Sequence, residues 1–461
     1  MTTQQFTRTV RVPVSVETLF AWHERPGAFT RLSPPWNSPR VLEHVGGIRD
    51  GARVTLTVHA GPVPTTWRIV HRDYIANRQF VDVMEQGPFA HWVHTHRFTA
   101  DGPAASVLED HIEYALPGGA LGDAVGGGVA SSTLDRVFAY RHAVMLGDLE
   151  RHAQFAQLPR KRIAITGASG FIGSQLSAFL STGGHEVVRI GRGAVVPGVT
   201  DVSWNPERGE LRATDLEGVD TVVHLAGAPI VERWSAAHKR AIRDSRVDGT
   251  SLLANTMAKM SQPPRVLVSG SAIGVYGSRA DTLLDESSAR GNDFLADVVH
   301  AWETTTAPAL RAGIRVMHAR TGIVQGAAGG ALSKQLPLFR AGVGGALGDG
   351  MQFLSPIGLD DVIGALHFCM MRDDIDGAVN IVAPSALTNN AYTEILARVL
   401  ARPSIARVPA FVLRAVLGTE MANLTVLASQ RVRPRRLIES GFAFRLPTVE
   451  SMLRFELGLS R

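Results

Sequence analysis

Polar and apolar side chains alternate from Thr7 to Val12, the two-residue period of a half-buried strand. Residues 15–23 change to a helical period, with Ser15 as N-cap and Val16, Leu19, Phe20 and His23 on one face. Strand-like stretches recur at 53–59, 65–72, 79–84, 91–99 and 106–114, separated by Gly, Pro, Asn or Asp. A glycine-rich turn is expected at 117–128. A long helix follows, from Ser131 or Ser132 to about 155, with Leu134, Val137, Phe138, Met145 and Leu149 on one apolar face. A short helix, a run of antiparallel strands and a long closing helix predict an α+β domain over 1–157.

The pattern changes at AQLPRKR (156–162), where Pro159 interrupts the helix. Short apolar, β-branched runs now alternate with helical stretches. RIAIT (162–166), His185–Ile190, Asp220–Ala226, 265–269, 314–319 and 378–383 read as the strands of a doubly wound parallel sheet. The first strand runs into Gly167-Ala-Ser-Gly170-Phe-Ile-Gly173 and then a helix carrying Ile172, Leu176, Phe179 and Leu180. Such a turn holds phosphate because glycines let the backbone approach it closely. The helix N-terminus adds free N–H groups and partial positive charge. Its place between a strand and a helix, with the next strand at the right distance, points to a dinucleotide. The second strand ends VVRIGRG, with Arg192 where a carboxylate would select NAD. A guanidinium suits the 2′-phosphate of NADP.

Composition narrows the function class. The chain has 461 residues, 45% of them hydrophobic and 19% charged, enough for several packed cores. No apolar run approaches a membrane span, and the N-terminus lacks the layout of a signal peptide, so a cytoplasmic protein is expected. A single cysteine, Cys369, excludes a disulfide framework and a cysteine-based zinc site. The net charge is +5, but only four of the 47 basic residues are lysines. The one dense run is Arg431, Arg433, Arg435 and Arg436, so no nucleic-acid partner is expected. His94 and His96 alternate to one strand face beside His91. A metal site needs three or four convergent ligands, and no HExxH is present, so no metal is expected. These histidines read as polar lining of a cavity or as ordinary core and surface groups.

Two resemblances add to this reading. The order of elements over about 3–155, with RLSPPW (31–36), GPFAHWVHTHRF (87–98) and LEDHIEYALP (108–117), resembles the START-like helix-grip superfamily of polyketide cyclase/dehydrase-like proteins. That likeness implies a curved sheet around a long helix and an apolar small-molecule ligand. TGASGFIG (166–173), DTVVHLAGAPI (220–230), SGSAIGVYG (269–277), RTGIVQGAAGGAL (320–332) and SQRVRPRRLIESGFAF (429–444) resemble an atypical, epimerase-like group of the extended short-chain dehydrogenase/reductases. The expected architecture is a Rossmann domain over 161–404 with a small C-terminal domain over 405–461. This second resemblance implies cofactor contacts at Gly167, Ser169, Gly170, Phe171, Ile172, Gly173, Arg192, Leu225, Ala226, Gly227, Arg246 and Val324.

The usual Tyr-x-x-x-Lys pair is missing. Four residues beyond the five tyrosines stand Arg78, Gly118, Val144, Ala280 and Leu396, and Phe294 and Val298 occupy the expected place of the pair. Ser271 and Tyr276 remain as catalytic candidates, with Asp293, Glu286 and Glu303 as acids or bases and Arg320 at the start of a loop over the cofactor. In SPIGLDDV (355–362), Pro356 and Gly358 replace a tryptophan and a histidine found in comparable proteins, which implies different substrate contacts. Two readings stay open: an NADP(H)-dependent oxidoreductase or epimerase acting on a small molecule, and a non-catalytic NADP(H)-binding sensor.

Overall fold

A computed structural model describes residues 3–60 and 63–459. The chain divides into two compact units. One holds the residues up to Leu158 together with 178–184 and the last few residues; the other holds Pro159–Ser177 and His185–Glu456.

The first unit has seven strands: β1 (Gln4–Val12), β2 (Arg40–Val45), β3 (Arg53–Ala60), β4 (Val63–Ile75), β5 (Gln79–Gln86), β6 (His91–Ala100) and β7 (Ser106–Ala115). They form one antiparallel sheet in the order β1-β7-β6-β5-β4-β3-β2. Its helices are α1 (Val16–Glu24), α2 (Ala28–Leu32) and α3 (Ala120–Ala153). The Ser15 hydroxyl accepts from the Thr18 N–H at 3.4 Å and caps α1 as expected. Alternate residues of β7 are buried, the consequence of one sheet face packing on helices. Leu134 and Phe138 of α3 meet Phe6, Trp92, Ile112 and Tyr114. Met145 and Leu149 meet Phe20, Phe80, Phe98 and Leu108. This is the helix-grip arrangement.

Two elements depart from the sequence reading. α3 begins at Ala120, so the expected turn over 117–128 is mostly helix. Glycines lower helix propensity, but Gly126 allows close approach to Leu116, which a Cβ would meet at 3.2 Å. β2 is the second: all six of its residues are exposed, and an edge strand without a buried face leaves no alternation to read.

The second unit is built on β8 (Arg162–Thr166), β9 (Glu186–Gly191), β10 (Val202–Ser203), β11 (Thr221–His224), β12 (Val266–Ala272) and the strands Arg315–Thr321 and Gly377–Ile381. All seven run parallel, in the order β10-β9-β8-β11-β12, then 315–321, then 377–381. The order reverses between β8 and β11, which opens a crevice beyond their carboxyl ends. The helices used below are α4 (Phe171–Thr182), α5 (Ala236–Ala258) and α6 (Phe294–Thr304). Helix Leu359–Met371 is buried at every position; its apolar residues account for most of this, while Asp360 pairs with Arg445 and Asp361 accepts from the Arg445 and Leu446 N–H groups. It contains Cys369, whose thiol burial pushes up to about 12. In the same unit, Arg431–Val432 pairs with Leu283–Leu284, tying the C-terminal segment to the Rossmann core. No helix among the described residues is long and apolar enough to cross a membrane.

Candidate functional site

The turn after β8 is shaped by its glycines. Gly167 has φ +70°, and a Cβ there would come within 2.9 Å of the Ala226 nitrogen. A side chain at Gly173 would overlap the Gly167 carbonyl. The turn closes through Gly170 N–H to Gly167 O at 2.9 Å, leaving Ser169 and Gly170 exposed at the start of α4. Ile172 is partly buried behind them. Phe171 also receives a later part of the chain. Cβ atoms at Gly326, Gly329 or Gly330 would strike its ring, so the segment after Val324 is fitted against the turn. Val324 lies on the short strand Ile323–Gly326, paired with Ile357. The glycines of this later segment are visible in the sequence, but what they accommodate is not.

Across the crevice, the Thr166 hydroxyl oxygen lies 2.7 Å from His224 Nδ1 and accepts from the Leu225 and Ala226 N–H groups at 3.2 and 3.3 Å. This hydroxyl fixes the chain leaving β11 against the glycine turn. Below it, Arg246 of α5 donates to the carbonyls of Ala228 and Ile242 at 3.1 and 2.9 Å. Its guanidinium stacks over Trp302 at 5.1 Å and lies against Gly227. Burial lowers its pKa to about 10, which keeps it charged at neutral pH. Arg192 stands exposed just beyond β9, with no hydrogen bond or ion pair to another described residue.

A second cluster lies at the carboxyl ends of the central strands. The register sets Ser271 opposite Arg320 and Arg320 opposite Asn380 on three neighbouring strands. Ser271 Oγ donates to Glu303 at 2.6 Å, and Arg320 grips both oxygens of that carboxylate at 2.8 Å. Burial would raise the Glu303 pKa, but Arg320 and Ser271 outweigh it and hold the carboxyl below its ordinary value. Arg320 also donates to the Tyr276 hydroxyl at 3.0 Å, which donates to Asn380 at 2.7 Å. Tyr276 is wholly buried, and burial raises its pKa despite the adjacent guanidinium.

Ser271 and Tyr276 are therefore joined through Glu303 and Arg320. Glu303, a candidate acid or base by sequence, is an inward ion pair. Asp293 caps α6 by accepting from the Ala296 N–H, and Glu286 accepts from the Asn380 and Arg436 N–H groups, so both carboxylates serve the scaffold. Asn380 carries no sequence signal; only the strand register brings it in. Phe294 packs edge-on against Trp234 with the Lys239 ammonium 4.3 Å above its ring, while Val298 is buried.

Residues 163–381 match the NAD dependent epimerase/dehydratase family. Residues 12–138 match the polyketide cyclase / dehydrase and lipid transport family, and 408–456 a domain of unknown function. An epimerase family protein of Mycobacterium bovis is 40% identical over 294 residues, 64% of this chain and 96% of its own. A nucleoside-diphosphate sugar epimerase from Corynebacterium glutamicum has a similar crystal structure, with TM-score 0.82 and 31% identity. The likeness covers 99% of this chain and 91% of that one. The crystal structure of human epimerase family protein SDR39U1 (isoform 2) with NADPH has TM-score 0.59 and 30% identity, covering 64% of this chain and 99% of that one.

Proposed function

The chain belongs to the epimerase family, with a polyketide-cyclase-type unit ahead of the Rossmann unit, and from that premise we propose an NADP(H)-dependent oxidoreductase or epimerase. The observation that carries the reading is Arg192: an exposed guanidinium beyond the second strand, without a described partner, beside a glycine cradle that side chains would fill. The residues proposed to hold the dinucleotide are Gly167 to Gly173 at the pyrophosphate, Arg192 at the 2′-phosphate, and Leu225, Ala226 and Gly227 along the adenosine. Arg246 supports that strand end, and Val324 closes the far side. The human relative whose structure contains NADPH supports the choice of NADP over NAD.

Bound NADP(H) would supply hydride transfer at its nicotinamide ring. Ser271 is placed beside the substrate oxygen; its single hydroxyl proton, given to Glu303 here, would turn to that oxygen on binding, while Arg320 keeps the Glu303 carboxylate paired. Tyr276, sealed from solvent, acts through Arg320 as a positioning residue. The similar Corynebacterium protein supports a nucleoside-diphosphate sugar as the first substrate class to test. An apolar small molecule is proposed for the N-terminal unit. The supporting feature is the aromatic group of Trp67, Phe89 and Trp92; the buried Trp67 indole N–H would need one acceptor atom on such a ligand.

Two observations favour the non-catalytic reading: no tyrosine has a lysine at helical spacing, and the Tyr276 hydroxyl is enclosed. Fluorescence titration with NADPH and NADH tests the cofactor. A charge-assisted contact of roughly 1.5–3 kcal/mol gives about ten- to a hundredfold preference for NADPH, which Arg192→Asp erases or inverts. Equal affinities in the unaltered protein would sink the assignment. NADPH oxidation with a nucleotide-sugar and carbonyl panel separates the two readings. As an enzyme, the protein loses roughly 10²–10³ in rate on Ser271→Ala with cofactor affinity retained. As a binding module, it oxidises no bound NADPH with any member of the panel.

A further inference from the structure

Inside the N-terminal unit, three neighbouring strands bring imidazoles and carboxylates to one buried face. Asp82 of β5 stands opposite His94 of β6, and His96 of β6 opposite Asp110 of β7. Asp82 Oδ2 lies 3.7 Å from His94 Nδ1 and 3.4 Å from His96 Nε2, and one ligand atom from each of the three residues falls within 4.8 Å of the others. A four-coordinate ion with nitrogen and oxygen ligands at about 2.0–2.1 Å sets its donor atoms about 3.3 Å apart. The two separations from Asp82 lie near that edge length.

The remaining atoms of these side chains are supported from behind. Asp110 Oδ1 is 3.0 Å from His94 Nε2 and 2.8 Å from His96 Nδ1. Each imidazole thus turns one nitrogen toward Asp82 and the other toward Asp110, the carboxylate–histidine relay that fixes the tautomer of metal-bound histidines. Asp110 Oδ2 is held in turn by His142 Nε2 of α3 at 2.6 Å, and Asp82 Oδ1 lies 3.0 Å from His71 Nε2.

A separate observation concerns unmet polar atoms. His96 Nδ1 and Asp82 Oδ1 are buried and fall outside ideal hydrogen-bond geometry, each with one imidazole or carboxylate neighbour at 2.8–3.0 Å. His94 and Asp110 are each 2% exposed. Phe80 stacks on His96 at 4.1 Å and Phe138 stands edge-on to His94 at 5.3 Å. Without an ion, the two carboxylates are compensated by imidazolium, His96 above all: burial lowers its pKa, but they push it up to about 9; a divalent cation would take the place of that proton.

We propose that Asp82, His94 and His96 bind a divalent first-row transition-metal ion, oriented by Asp110, His142 and His71. Imidazole donors favour zinc or iron over calcium or magnesium, which take oxygen ligands. Two histidines and one carboxylate leave at least one coordination position for water or a ligand. The site stands apart from the dinucleotide reading, and its test does not involve turnover.

The experiment uses the full chain, stripped with a chelator and titrated with Co²⁺ and Zn²⁺. The expected result is about one equivalent bound, a visible Co²⁺ spectrum of low coordination number, and a higher unfolding midpoint with metal. Asp82→Asn and His96→Gln abolish the spectrum. Asp110→Asn keeps the stoichiometry but weakens affinity roughly 10–100-fold. Failure of the folded, unaltered protein to take up an equivalent of either ion overturns the site, whatever the variants do. Undiminished binding in folded Asp82→Asn or His96→Gln also overturns it.

Discussion

His224 closes β11 with no exposed surface, beneath the edge of Trp204 and against Gly249. Burial, helped by the nearby charge of Arg246, lowers its pKa to about 3. In the unfolded chain the ring titrates near 6.5. Between these values the unfolded state binds the extra proton, so stability is full above about pH 6.5 and falls as the pH drops toward 3. The slope from one such group is up to about 1.4 kcal/mol per pH unit. His224→Gln should flatten the acid limb of the urea midpoint between pH 4 and 7 by that amount. An unchanged limb would mean that the ring is already protonated in the folded state. From the sequence, His224 reads only as part of a strand. Its interior position follows from the parallel sheet being covered on both faces.

The Arg31–Asp148 pair joins two helices of the N-terminal unit. The guanidinium of α2 meets both carboxylate oxygens of α3 at 2.9 and 2.7 Å, with the side chains 3% and 0% exposed. Removing one partner of such a pair costs about 3–5 kcal/mol, because the other charge stays buried. Asp148→Ala should therefore shift denaturant unfolding of this unit by about that much. The combination Arg31→Met with Asp148→Leu should cost far less. Equal losses in both variants would show that packing, rather than the stranded charge, sets the penalty. Such a pair is not legible in a sequence, since 117 residues separate its members. What is legible is local. Ser15 announces α1 by its own hydroxyl, and the glycines at 167, 170 and 173 announce a close approach that the structure then displays. The Asp82–His94–His96 cluster shows the limit: only the two residues of one strand are visible together, and the register supplies the third. Ser271, Arg320 and Asn380 meet through the same kind of register, with 109 positions between the first and last.

At the level of the complete chain, the division near Leu158 separates two hydrophobic cores. Residues 1–157, which hold this unit's sheet and its core, should fold without 178–184 and the C-terminal residues that count with it and unfold cooperatively, as circular dichroism of that fragment would show. A molten or insoluble fragment would count against an independent domain. Cys369 gives a chemical reading of the other unit. It is the only cysteine in the sequence, it is wholly buried, and its thiol is far from forming the reactive thiolate at neutral pH. A thiol reagent added to the native protein should therefore modify it only as fast as helix Leu359–Met371 becomes accessible. Labelling followed by intact mass would count molecules in which the second unit has opened, while the N-terminal unit, having no sulfhydryl, adds nothing to the signal. The same inertness leaves a clean background for engineered attachment. A cysteine placed on any exposed loop would be the sole fast-reacting position, so a dye or spin label could be installed without first removing the native residue.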